Sequence, residues 1–287
     1  MTVTARRTEA DRLAGKLPAL RLAADRLAAT VLYGLHGRRQ AGTGDEFWQF
    51  RGYQPFDAST AIDWRQSAKG ERVFVRQREW QVTRSAWLWC DHSASMDFAS
   101  RRNLPTKVAR AEVILLALAS LLLAGEEAVA LIDADMRPRT GRGVLDAITA
   151  RLPIAGQDMP QATPLPADAT AVLISDFLMS PADLETTLNG LAGSGAGGLL
   201  IGMSDPLEEA FPFQGRVQFD GLEAEQSQLI EQADTVADAY ARRREAHRQQ
   251  LANIAGRVGW RVIHHQTDSP PEQLLLTVFS AIALSAR

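Results

Sequence analysis

The chain has 287 residues, 46% of them hydrophobic and 23% charged, and a formal net charge of -3. This is ordinary globular composition for one large or two small domains, and the charge balance gives no overall reason to expect nucleic acid or an anionic membrane as a partner. A single cysteine, Cys90, excludes an internal disulfide framework.

The first twenty residues mix charges of both signs without a continuous apolar stretch, so they do not read as a secretory signal. The longest apolar run, "VILLALASLLLA" at 113–124, falls short of the ~20 residues a bilayer span requires. These features predict a soluble, cytoplasmic protein without a membrane span.

In chain order, "ALRLAADRLAATVL" (19–32) predicts a helix, and the turn residues and alternating pattern of "RVFVRQREW" (72–80) predict a small antiparallel β element. We take residues 1–84 as an N-terminal extension and 85–287 as the main domain. From residue 85, short apolar runs alternate with helical patterns. The strands are "AWLWC" (86–90), "AVALI" (128–132), "AVLIS" (171–175), "LLIGM" (199–203) and "WRVIH" (260–264). Such nearly continuous apolar runs are the pattern of strands covered on both faces, so they predict an α/β fold with a doubly wound, mainly parallel sheet. Helices are expected over 107–124, closed by Gly125, over 144–152, and from Pro181 with Ser180 as N-cap. The polar stretch 222–257 reads as one or two surface helices.

Within this frame "LWCDHSASMDF" (88–98) places Asp91, Ser93 and Ser95 at every second position beyond a strand, and "VLISDF" ends another strand in Asp176. Ligands gather outside the carboxyl ends of strands in such sheets. Two carboxylates with two hydroxyls suit a hard divalent ion such as Mg²⁺. The competing structural reading is that Ser93 or Ser95 caps the following helix.

"DHSASM" resembles the Asp-x-Ser-x-Ser motif of the metal-ion-dependent adhesion site in von Willebrand factor type A domains, and "ISDF" resembles the strand whose Asp completes it. "FRGYQPFDASTAIDWRQSAK" is similar to the Arg-x-Tyr, Asp and Ile-Asp-Trp signature of the bacterial domain-of-unknown-function 58 family, except that Phe56 stands where relatives commonly carry glycine. The likeness continues through "FVRQREW", "TKVARAEVILLALA" and "GMSDPLEEAFP". The resemblance implies a von Willebrand factor A-like fold, no established catalytic activity, and partnership with MoxR-type AAA+ ATPases. It further implies Asp91, Ser93, Ser95 and Asp176 as metal ligands, with Thr140 in "PRTGRGV" the convenient candidate for the remaining one.

The expected function is therefore a non-enzymatic module whose Mg²⁺ offers an open position to an acidic residue of a protein partner. The alternatives are a metal-independent scaffold and a Mg²⁺-dependent phosphotransferase with Asp91 as nucleophile. The latter wants a second aspartate two positions on as general acid, where this chain has Ser93, a group unable to transfer that proton near neutral pH. The extension is locally basic, but its interspersed acids favour ion pairing over nucleic-acid binding. The five histidines show no zinc-site spacing. Glycine-rich "GSGAGG" (193–198) precedes a strand, so it reads as a loop and not a phosphate cradle.

Overall fold

A computed structural model describes residues 85–132, 135–141, 143–152, 159–220 and 227–284, together with Arg26, Ala28 and two short strands of the N-terminal region. The chain divides into two compact units, Met1–Leu35 with Arg84–Arg287, and His36–Thr83. In the smaller unit β1 (Gln49–Gly52) pairs antiparallel with β2 (Phe74–Gln77), Arg51 opposite Val75, which is the small antiparallel element expected there. The signature residues Phe56, Asp57, Asp63 and Trp64 lie outside the described residues. So does most of the helix expected over 19–32, of which Arg26 and Ala28 are helical.

The larger unit is built on β3 (Ser85–Cys90), β4 (Ala128–Leu131), β5 (Thr170–Ser175), β6 (Gly197–Ser204) and β9 (Arg261–Gln266), all parallel, in the order β4-β3-β5-β6-β9. All five correspond to apolar runs read from the sequence. Connecting them are α1 (Lys107–Ala124), α2 (Gly143–Arg151), α3 (Pro181–Ala192), the short α4 (Pro206–Ala210) and α5 (Ala237–Arg257), and α6 (Pro271–Leu284) follows β9. This is the α/β, doubly wound sheet expected of a von Willebrand factor A-like domain, and every described strand of its sheet is parallel.

Alternation along each strand divides the core into two layers, because successive side chains point to opposite faces. Leu88, Val172, Ile174, Leu199 and Ile201 pack with α1, α2 and α6 on one face. Trp89, Leu173 and Leu200 pack with Leu184 and Leu188 of α3 and Leu251 of α5 on the other. The central helix α1 is accordingly apolar nearly all round, with Ile114, Leu115, Leu116 and Leu118 fully buried. No helix among the described residues is long and apolar enough to cross a membrane.

Local chemistry accounts for the element ends. Thr106 caps α1, its hydroxyl accepting from the Ala109 N–H at 3.2 Å. Gly125 occupies the C-cap, but at a negative φ; the left-handed turn falls on Glu126 at φ 62°. Ser180 is the N-cap residue of α3 without a side-chain hydrogen bond, and Pro181 opens the helix as expected. The second half of "GSGAGG" enters β6, where a Cβ on Gly198 would come within 2.3 Å of the Trp260 ring. That indole donates to the Ala196 carbonyl at 2.9 Å, so the missing side chain lets Trp260 lie against the strand.

The structure departs from the sequence reading, which expected helix from 222, over 228–236. The antiparallel pair β7 (Val217–Phe219) and β8 (Gln228–Ile230) precedes α5, which is a single helix starting at Ala237. The aromatic rings of Phe211, Phe213, Phe219 and Tyr240 cluster at centroid distances of 4.5–5.9 Å along this segment. Apolar periodicity misses such a pair because its strands are three residues long and face few core residues.

Candidate functional site

Strand order reverses at β3: β4 lies on one side of it, and the next strand in the chain, β5, lies on the other. In open α/β sheets this switch point opens the crevice where ligands bind, beyond the strands' carboxyl ends. Asp91 follows the last residue of β3 and Asp176 the last residue of β5, so the adjacent strands deliver both carboxylates to that place. The Asp91 N–H donates to the Ile174 carbonyl at 2.9 Å, continuing the ladder one step past the strand.

Asp91 is buried and hydrogen-bonded at both carboxylate oxygens. Its Oδ1 accepts from the Ser93 N–H at 2.7 Å and its Oδ2 from the Ser175 hydroxyl at 2.6 Å. Burial raises its carboxyl pKa above the ordinary value; the hydrogen bonds from Ser175 and Ser93 oppose this, and the neighbouring charge of Asp176 adds to it. Ser93 sits at the N-cap of a one-turn 3-10 segment, Ala94–Met96, without capping it through its side chain. Its hydroxyl pairs instead with that of Ser95 at 3.1 Å, and Ser95 donates to Asp176 Oδ2 at 2.8 Å. The motif loop is therefore organised by Asp91 and directed at Asp176. His92, between Asp91 and Ser93, turns to Glu112 of α1 at 3.0 Å and to the Cys90 carbonyl.

A residue the sequence reading did not single out completes the cluster. Lys107, first residue of α1 and 1% exposed, places its Nζ 2.8 Å from Asp176 Oδ2 and 2.7 Å from Glu208 Oε1. Burial acts to depress the lysine pKa, but the attraction of Asp176 and Glu208 outweighs it, and the ammonium is held above its ordinary range. Glu208 is itself fixed by a capping box. Asp205 accepts from Leu207 N–H at the start of α4, and Glu208 Oε2 accepts from the Asp205 N–H at 2.7 Å.

Ser175 and Glu208 were also missed. Ser175 is a polar residue ending an apolar strand, and Glu208 stands three residues after the capping aspartate in "DPLE", so both left a signal. Lys107 left one too: it puts a cation at a helix N-terminus, the end that disfavours positive charge.

Of the five predicted ligands, the structure gathers Asp91, Ser93, Ser95 and Asp176 and does not bring Thr140 to them. Arg139 pairs with Val129, which lies opposite Ala86 near the start of β3, and Asp91 is five residues further up that strand. At about 3.3 Å per residue the separation is on the order of 15 Å. Thr140 is exposed there, lining a surface cavity with Arg137, Arg139 and Arg151.

The four gathered residues also do not suit Mg²⁺ as arranged. An ion bound about 2.1 Å from Asp176 Oδ2 would lie within about 5 Å of an ammonium that is 2.8 Å from the same oxygen. At an effective dielectric of about 20 that repulsion is on the order of 6 kcal/mol, so an ion would have to compete with the ammonium for this carboxylate. Each Asp91 oxygen meanwhile accepts one hydrogen bond from the protein's own donors. Among the described residues, no group of three or more His, Cys, Asp or Glu is arranged to hold a metal ion.

The family described as Protein of unknown function DUF58 matches residues 49–250. The chain belongs to this family. Relatives of the DUF58 chain include the uncharacterized proteins Mb1516 of Mycobacterium bovis and Rv1480 of Mycobacterium tuberculosis. Each is 28% identical over 277 residues, covering 90% of this chain and 86% of the relative. Among solved structures, the conserved hypothetical protein BatB from Bacteroides thetaiotaomicron is 12% identical, with a TM-score of 0.39, covering 69% of this chain and 98% of that one. An aerotolerance-related membrane protein from Bacteroides fragilis is 12% identical with a TM-score of 0.36, covering the same shares of the two chains.

Proposed function

We propose that this DUF58 protein is a non-catalytic protein-interaction module that docks a partner at the switch-point crevice, with a MoxR-type AAA+ ATPase the partner its family resemblance implies. The observation that carries the reading is the composition of the crevice. Around Asp91 and Asp176 the hydroxyls and carboxylates are already paired with one another, which suits a rigid docking face and leaves no general acid beside Asp91. Ser93 occupies the place where a phosphotransferase would need one. A bridge through a divalent ion forms no part of the proposal, because Lys107 holds the Asp176 oxygen that the ion would need.

The rim of the crevice also favours docking. Leu178, two residues beyond Asp176, is 61% exposed and lines a cavity beside that crevice together with Asp176, Lys107, Glu208 and Tyr240. An apolar side chain standing in solvent beside buried charges offers surface that a partner would gain by burying. The test is capture of a purified MoxR-type ATPase from the same organism by immobilised protein. Leu178→Arg is expected to cut capture tenfold or more, about 1.4 kcal/mol, with the melting midpoint unchanged. Undiminished capture would remove the crevice from the interface, and failure of the wild type to capture the ATPase would overturn the choice of partner.

A further inference from the structure

The motifs beyond the aspartate-serine loop converge on one atom. "TKVARAE" supplies Lys107, "ISDF" supplies Asp176 and "SDPLEE" supplies Glu208, and the Lys107 ammonium contacts both carboxylates at 2.7–2.8 Å. Local preference argues against a lysine here on two counts. Position one of an 18-residue helix faces the positive end of the backbone dipole, and complete burial strips the ammonium of water. A residue that violates both rules is held by what it touches.

We infer that Lys107 is the resident cation of this site, an internal ammonium standing where a von Willebrand factor A-like adhesion site would place its divalent ion. The oxygen set is otherwise that of a cation site: Ser93 Oγ, Ser95 Oγ and Asp176 Oδ2 form a chain with steps of 3.1 and 2.8 Å, and Nζ caps its Asp176 end. A lysine in this role has consequences a metal does not. Its charge is one and not two, it is tethered to α1, and it offers no open coordination position. The loop is thus fixed without an exchangeable ion. Glu208 makes the substitution complete, since a carboxylate from the protein's own α4 occupies the place a partner's acidic residue would take on a metal.

The inference goes beyond the docking proposal and is tested with metal alone, so its failure is distinguishable from a failure of docking. Thermal melts and Mn²⁺ titration followed by electron paramagnetic resonance are run on the full chain as wild type, Lys107→Arg and Lys107→Ala. The wild type is expected to show no saturable Mn²⁺ binding and no shift of its melting midpoint with millimolar Mg²⁺ or Mn²⁺, since an ion that binds the native state must raise it. Lys107→Arg, which keeps the charge, should behave likewise. Lys107→Ala should melt lower and gain a chelator-reversible rise of several degrees with metal. A saturable, chelator-reversible response in the wild type overturns the inference, and that arm decides it even where Lys107→Ala does not fold. A folded Lys107→Ala protein without a metal response overturns it as well.

Discussion

At the scale of residues, Lys107, Asp176 and Glu208 are a small network with unequal exposure: 1%, 5% and 30% for the three side chains. Removing one member of a buried ion pair leaves its partner's charge without compensation, which typically costs about 3–5 kcal/mol. Glu208 can turn to water, whereas Asp176 is too enclosed to do so. Lys107→Met is therefore expected to lower unfolding stability by about 3 kcal/mol, and Asp176→Asn by a similar amount. The double variant should lose clearly less than the sum, because neither buried charge of that pair is left behind. Urea unfolding of the four proteins measures the coupling, and strictly additive losses would show that the contact carries none. Asp91, Ser93, Ser95 and Asp176 were legible because strand ends and spacing point to them. Lys107 left only the signal of a cation at the unfavourable end of a helix, which reads as a solvated side chain until the topology brings three strand and helix ends together.

Among the elements, the main strands and α1 were readable from their apolar runs, and their observed bounds follow those runs closely. What escaped was α6, although Pro271 at its first position and Glu272 in its first turn are the kind of start signal read at Pro181, and the β7–β8 pair, too short for a period to show. Thr140 illustrates the same limit. The sequence places it before a helix, as the resemblance requires, but the antiparallel bridge between Arg139 and Val129 pins it to the wrong end of the sheet. Strand β9 carries a pH dependence. His265 is buried, and burial first, then the nearby Arg110 charge, lowers its pKa to about 4 from 6.5. The fold thus refuses a proton that the unfolded chain accepts between these values, so this contribution to stability is intact above pH 6.5 and is lost as pH falls toward 4. By about pH 5 the loss is about 2 kcal/mol. Urea unfolding at about pH 7.5 and about pH 5 should show it in the wild type and not in His265→Gln; equal slopes would contradict the assignment.

For the molecule as a whole, a doubly wound sheet concentrates chemistry at one edge, and this chain uses that edge to build a closed polar network. The two core layers fix β3 and β5 side by side, the switch point sets Asp91 and Asp176 across from each other, and α1 and α4 bring Lys107 and Glu208 over them. The central claim is that the cation of this site is the lysine. It is tested most directly by a crystal structure of the wild-type protein grown in millimolar Mn²⁺ and measured for anomalous scattering. The expected result is Lys107 Nζ within hydrogen-bond reach of Asp176 and Glu208, with no anomalous peak among Asp91, Ser93, Ser95 and Asp176. A manganese peak bound by those oxygens, with Lys107 swung away, would contradict it.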